Sequence, residues 1–428
     1  MTAVHGPPHA EPAGQVVRDS TVTATDVAAR VVADRAEGEA YVASVCFKHG
    51  PPRLTGVELE YLVHDATDPR RPVDPARLCS ALGPHTPRTL RPDSPSVPLP
   101  GGSALTLEPG CQVEISTAPH GSLRDLVTAA QTDLAYVTDL LAPAGLRLGP
   151  HAIDPFRPPV RTLTTERYAA MERRFSPLGP AGVTMMCSTA ALQVCVDVGE
   201  QAQLPARWAA IHALGPVLVA AFANSRTHAG RDTGLASARW RSVMDTEPAR
   251  TTAAEVGADP AAAWSARVLD TPLMVLRRPE GTWDAPAGLT FADWIGRRGP
   301  AAGLPPPTYD DLDYHLTTLF TPVRPHGYLE IRYLDAQPPG RWLHPVALLT
   351  ALLRRPSTVD RVLDVCEPVA GRWSDAARFG LADRALADAA RRIADLGCAE
   401  LTTVDLPADT IADIAYAVQR RVRYRGGE

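Results

Sequence analysis

Between residues 54 and 65 (LTGVELEYLVHD) apolar and acidic side chains alternate, with Val57, Leu59, Tyr61 and Val63 interleaved with Glu58 and Glu60. A period of two predicts a β-strand that turns both carboxylates to one face, about 7 Å apart along the chain. Three other segments share this character: residues 104–116 (ALTLEPGCQVEIS), 191–198 (ALQVCVDV) and 328–335 (YLEIRYLD). In the last, Leu329, Ile331 and Tyr333 alternate with Glu330 and Arg332, so a carboxylate and a guanidinium share a face. Strands of this kind build an antiparallel sheet with one greasy face and one charged face, and Glu108-Pro109-Gly110 reads as a tight turn bringing Glu108 and Glu114 to neighbouring positions.

The remaining pattern is mostly helical. Thr25 or Asp26 is a candidate cap for a helix through Val45, and residues 66–102, rich in Pro and Gly, read as a long connection with one helical turn near 75–81. Ser122 precedes Leu123, Leu126, Val127, Ala130, Leu134, Val137 and Leu141, the spacing of an amphipathic helix through Ala142. Further helices are expected over 165–175 and 205–223, with residues 176–182 (SPLGPAG) as a loop. A strand is expected at 272–277, a short helix at 291–297, a helix from a Thr308/Asp311 capping box through Phe320, and a helical portion from Trp342 onward. The fold class is therefore α+β, with residues 1–20 a disordered tail and 21–428 a single domain.

A sheet face turned to water is the ordinary reason for such alternation. Solvated faces usually mix Lys, Thr, Ser and Arg, whereas these carry Glu58, Glu60, Glu108, Glu114, Gln193, Asp197 and Glu330, all oxygen donors. Crowded carboxylates repel one another unless a cation intervenes, and hard ions such as Mg²⁺ take this ligand type, commonly together with phosphate. Nucleotide chemistry on a sheet is the expectation. Lys48 is the only lysine, so a Walker A loop and a Schiff-base lysine in suitable context are both excluded, and no GxGxxG after a strand, GxSxG or HExxH occurs. A nucleotide must be gripped by metal, arginines and backbone.

Composition narrows the class. A net charge of -5 over 428 residues, without a basic stripe, argues against nucleic-acid binding. No apolar stretch reaches about 18 residues and the start lacks a signal pattern; residues 208–223 read as a buried helix. Seven scattered cysteines without CxxC pairs suit reduced thiols in the cytoplasm.

GVELE (56–60), LTLEPGCQVEIST (105–117), the 191–197 strand, Ala223-Asn224-Ser225, Ser237-Ala238-Arg239 and DYHLTTLFTPVRPHGYLEIRYLD (313–335) together resemble the glutamate-cysteine ligase family, and more narrowly its actinobacterial ergothioneine-pathway branch. The resemblance spans about residues 54 to 400, and the last block is the most specific. It implies a glutamine synthetase/guanidino kinase-like architecture: a funnel-shaped active site over the sheet, flanked by helices. There ATP phosphorylates the γ-carboxylate of glutamate and the amine of cysteine attacks the acyl phosphate, giving γ-glutamylcysteine. It further implies Mg²⁺ held by Glu58, Glu60, Glu108, Glu114, Gln193 and Glu330. Arg332 is placed on the transferring phosphoryl group, with Glu330 beside it in a catalytic role. Arg239, Ser237 and Gln193 are placed on substrate, and Asn224 on the nucleotide. Cys195 departs from the family pattern, which often carries Asn there. Two other readings remain open: a ligase joining glutamate to a different amine, and a catalytically silent nucleotide- and glutamate-binding protein.

Overall fold

The computed structural model describes residues 28–423. The expected tail at 1–20 and the expected caps Thr25 and Asp26 lie outside the described residues. The four acidic segments assemble into one six-stranded sheet. Its strands are β1 (Thr55–Tyr61), β3 (Ala104–Leu107), β4 (Val113–Ser116), β6 (Ala191–Val196), β9 (Val323–Pro325) and β10 (Leu329–Asp335), in the order β3-β4-β1-β6-β10-β9. Every neighbouring pair is antiparallel. Residues from distant parts of the sequence therefore meet at the centre of the sheet, where β1 pairs with β4 on one side and β6 on the other.

The greasy face is packed as the alternation requires. Val57, Leu59, Tyr61, Val113, Ile115, Leu192, Val194, Ile331 and Tyr333 are all buried in one core that reaches from Val32 to Val422. The helix Leu123–Leu141, capped by Ser122 as expected, buries Leu126, Ala130, Leu134, Val137 and Leu141 in it. The helix Leu204–Phe222 is apolar all round and almost wholly buried, which suits a central core helix. Among the described residues the stretch Gln201–Phe222 is the one long and apolar enough to cross a membrane, but it lies inside the structure, with 78% of its apolar window buried. The C-terminal portion is helical, with Leu343–Leu352, Pro356–Cys366, Trp373–Phe379, Arg384–Glu400 and Ala408–Arg423 in succession.

Several sequence expectations need correction. The first strand breaks at Leu62, whose carbonyl accepts from the Gly149 N–H; beyond it β2 (Val63–Asp65) leaves the main sheet to pair with β5 (Leu146–Leu148). A small two-stranded ribbon, β7 (Thr227–His228) with β8 (Arg231–Asp232), completes the strands. The N-terminal helix is Arg35–Cys46, capped by Asp34. Residues 181–188 form a helix that begins inside the stretch read as a loop, and Pro260–Asp270 is a helix for which the sequence pattern gave no expectation. The strand expected at 272–277 reduces to isolated bridges, Pro272 to Thr290 and Val275 to Asp284. The Thr308/Asp311 capping box is present, but its helix ends at Leu316, where tight three-residue bonds from Thr317 N to Tyr314 O and Thr318 N to His315 O close the last turn.

Candidate active site

The charged face of the sheet is roofed into a cavity of about 290 Å³. Register explains which groups meet there. Glu60 stands directly across from Glu114, and Glu58 across from Gln193, so carboxylates from two strands and an amide from a third crowd one patch. Glu108 joins them from the end of β3, where the Glu108 to Cys111 turn is closed by Cys111 N donating to Glu108 O, with Cys111 in the left-handed region at φ 67°. Glu60 is occupied locally, accepting from Ala191 N and from Gln193 Nε2, both at 2.7 Å. Glu114 accepts from the Thr106 and Ser116 hydroxyls.

Four arginines face these acids. Arg332, Arg324, Arg239 and Arg167 all line the cavity. Arg332 sits at a bulge in β10: the register with β6 shifts between Ile331 and Leu334, and the Arg332 N–H bonds Pro322 O. Bulges re-aim side chains in this way. Its Nη1 donates to Glu330 Oε1 at 2.9 Å and to Gln193 Oε1. Arg324 grips the same Glu330 with both arms, Nε to Oε2 at 2.6 Å and Nη2 to Oε1 at 3.0 Å. Arg239 donates to Arg332 O at 2.8 Å and lies 3.8 Å from Asp335, while its Nη1 has no hydrogen-bond partner among the described residues. Burial lowers the Arg239 guanidinium from its ordinary value, with Asp335 and Glu60 opposing.

The electrostatics separate the acids into two groups. Burial would raise Glu330, yet Arg324 and Arg332 hold it below the usual carboxylate range. Glu108 and Glu114 are pushed up to about 8 and about 7 by burial and by neighbouring carboxylates, and Glu58 is raised well above its ordinary value for the same reasons. No ion pair involves Glu58, Glu108 or Glu114 among the described residues. As their side chains stand, no three acidic, His or Cys groups among the described residues converge tightly enough to coordinate an ion. The chemistry of the donor set nonetheless fits a hard divalent cation: three oxygen-bearing groups, each destabilised as an anion, facing one cavity.

The sequence-expected residues thus divide. Glu58, Glu60, Glu108, Glu114, Gln193, Arg239 and Arg332 are brought together around the cavity. Glu330, expected as a metal ligand, lies beneath it at 1% exposure with its oxygens taken by two arginines, so it anchors cations instead. Gln193, also expected on metal, spends both ends of its amide bridging Glu60 and Arg332. Ser237 is fully buried; its hydroxyl donates to Asp335 Oδ1 at 2.8 Å and accepts from Trp240 N, capping the helix Ala238–Met244. Asn224 is spent on the backbone oxygens of Pro150 and Ala336, and Asp335 accepts from its N–H. Ser237 therefore positions the start of the helix that carries Arg239 and Trp240, Asn224 ties together the backbone at Pro150 and Ala336, and neither lines the cavity. Arg167, Arg324, Tyr168 and Trp240 line it without having been singled out. Arg324 was legible, since it lies in the 313–335 block; Arg167 carries no strand pattern and only the fold brings it in.

The model of the glutamate-cysteine ligase family 2 (GCS2) matches residues 54–426. The glutamate-cysteine ligase EgtA of Mycobacterium tuberculosis (strain CDC 1551 / Oshkosh) is 38% identical over 405 residues, covering 91% of this chain and 87% of that protein. EgtA of Mycolicibacterium smegmatis is 37% identical over 377 residues, 87% of this chain and 85% of that protein. A crystal structure of the Francisella tularensis glutamate-cysteine ligase in complex with AMP shares the fold, with a TM-score of 0.51 at 14% identity over 88% of this chain and 82% of that one. On the match that runs from the first strand of the sheet to the last helix, and on relatives alike over nine-tenths of its length, the chain belongs to glutamate-cysteine ligase family 2.

Proposed function

We propose that this chain catalyses the ATP-dependent joining of L-glutamate to L-cysteine, giving γ-glutamylcysteine, ADP and phosphate. The observation that carries this reading is the cavity itself, in which Glu58, Glu108 and Glu114 form no ion pair among the described residues while Arg332, Arg324, Arg239 and Arg167 line the same space. A site of both signs suits a nucleotide polyphosphate beside an amino acid. In the first step an oxygen of the glutamate γ-carboxylate attacks the γ-phosphorus of ATP and the bond to ADP breaks. In the second, the cysteine amine attacks the acyl carbon, phosphate leaves and the nitrogen loses a proton.

Phosphoryl transfer asks a protein mainly for positioning and for stabilisation of spread negative charge. Arg332 supplies a guanidinium held charged and aimed by Glu330 and Gln193, and we assign it to the transferring phosphoryl group. Arg239, whose Nη1 lies 3.8 Å from Asp335 and makes no hydrogen bond among the described residues, is assigned to a substrate carboxylate. Mg²⁺, held by Glu58, Glu108 and Glu114 with Glu60 adjacent, would neutralise phosphate charge. Residues 21–428 act as one catalytic domain in this reading, in the cytoplasm, where the seven unpaired cysteines suit a reducing environment. The ergothioneine-pathway branch that the sequence resembles suggests that the product enters ergothioneine synthesis. The partners are small molecules.

The test is ADP release with Mg²⁺, ATP and L-glutamate, with and without L-cysteine, and mass spectrometry of the product. Cysteine-dependent ADP release with γ-glutamylcysteine is expected. ADP release that needs glutamate but ignores cysteine would assign another amine, and none at all would leave a binding protein.

A further inference from the structure

Arg167 reaches the cavity from the first turn of the helix Glu166–Phe175. Its Nη1 donates to Thr317 Oγ1 at 2.9 Å and its Nη2 to Thr317 O at 3.0 Å. The same carbonyl is approached by Arg324 Nη1 at 3.4 Å, so the early stop of the helix Tyr309–Leu316 delivers one peptide oxygen to two cavity arginines. A guanidinium has five N–H donors in a fixed fork. Thr317 engages two of them and fixes the plane of the group, and Arg167 lines the same cavity as Glu108, whose charge it favours.

The other contact that orients Arg167 is aromatic. Its guanidinium carbon lies 5.2 Å from the centroid of the Tyr314 ring, and that of Arg277 lies 4.6 Å from the same centroid. Two cations beside one ring would repel each other, but Arg277 is neutralised by Asp310 at 2.7 Å and Asp311 at 2.9 Å. Asp311 is in turn fixed by the Thr308 capping box, and Trp283 packs edge-on against Tyr314 at 5.9 Å. The ring is therefore held by its own surroundings and presents a face to which a cation is attracted.

We infer that Tyr314 is a positioning residue that orients Arg167, and that Arg167 so oriented contacts an anionic group of a substrate, the phosphates of ATP or the carboxylates of glutamate. This rests on the ligase reading. Tyr314 touches no substrate; it acts through Arg167, and its hydroxyl plays no part.

The experiment compares Tyr314→Leu, Tyr314→Phe, Arg167→Met and the Tyr314→Leu/Arg167→Met pair with the wild-type full chain, measuring KM for ATP and for glutamate, kcat and thermal midpoint. Loss of the ring is expected to raise one of the two KM values by about 5- to 20-fold, the range of a partly desolvated cation–π contact, with kcat little changed. Tyr314→Phe should stay near wild type, Arg167→Met should raise the same KM at least as much, and the pair should be no worse than Arg167→Met alone. Which KM moves separates phosphate from carboxylate. If Tyr314→Leu folds and both KM values match wild type, or if its effect adds fully to that of Arg167→Met, the inference is overturned. Should Tyr314→Leu not fold, Tyr314→His, which keeps a flat ring, and Arg167→Met are compared by direct calorimetric binding of a non-hydrolysable ATP analogue and of glutamate. Unaltered affinities in Arg167→Met overturn the inference just as firmly. Calorimetry also reads the contact if wild type forms no γ-glutamylcysteine, the outcome that defeats the ligase reading alone.

Discussion

Arg332 is aimed by three separate features: a bulge in its own strand, the carboxylate of Glu330 two residues earlier and the amide of Gln193 on the neighbouring strand. Lysine would keep the charge but lose the planar fork, so Arg332→Lys is expected to lower kcat by about 10²-fold or more with a small change in melting temperature; turnover near wild type would show the arginine to be a structural partner of Glu330. A second residue matters through stability alone. Asp154, 3% exposed, accepts from Phe156 N at 2.9 Å and Arg157 Nε at 2.7 Å and lies 3.4 Å from His64 Nε2. Burial would raise its carboxyl, but His64 and Arg157 bring it down to about 2. A depressed folded value means stability that is present above the ordinary value of 3.8 and lost as pH falls through about 2. Asp154→Asn should therefore cost about 2 kcal/mol at pH 7 and flatten the acid limb of the stability profile, measured by urea unfolding from pH 7 down to pH 2. At this scale period-two alternation was enough to put Glu58, Glu60, Glu114 and Arg332 on the face of the sheet that lines the cavity, because it assigns a side chain to a face without further information. It failed for Ser237 and Asn224, whose polar groups are spent on Asp335 and on backbone oxygens that only the fold supplies.

Among the elements, the helix Leu204–Phe222 shows how packing overrides propensity. Gly215 lies mid-helix, where alanine would ordinarily gain about 1 kcal/mol. A Cβ there would fall 1.7 Å from Trp373 Cη2, however, and Trp373 packs against Trp240 of the cavity wall with ring centroids 5.5 Å apart. Overpacking of this kind costs about 1–3 kcal/mol or more, so Gly215→Ala should lower the thermal midpoint and, through Trp240, raise a substrate KM; a midpoint at or above wild type would contradict the packing. Elements with strong period, such as Leu123–Leu141 and the capped helix starting at Tyr309, were readable because their caps and apolar stripes are local. Pro260–Asp270 was hidden by the proline at its first turn, a tolerated position, and by the surrounding Pro and Gly. The strand expected at 272–277 has the right apolar run but no partner strand, and its pairing stops at single bridges.

For the whole molecule, the cavity is a place where folding brings like charges together at a cost that a cation would relieve. Mg²⁺ should therefore raise the melting temperature of the wild-type chain, by up to about 3 kcal/mol of stabilisation at a concentration a hundredfold above its dissociation constant. The increase should shrink in Glu108→Gln/Glu114→Gln; an equal rise in both proteins would place the ion elsewhere. The alternation along four segments was enough, by itself, to determine that there would be an antiparallel sheet with one apolar and one acidic face, and the order of the motif blocks was enough to indicate the family. Those are properties of period and of residue type, and they need no knowledge of what lies opposite. Tertiary structure alone decided which acids remain without a partner and which are consumed. Glu330 and Glu58 look alike in sequence, yet one is clamped by Arg324 and Arg332 while the other is left to its carboxylate neighbours. The physical reason is that the charge state of a buried group depends on burial and on neighbours within a few ångströms, and for this site those neighbours arrive from strands, helix ends and loops more than a hundred residues apart.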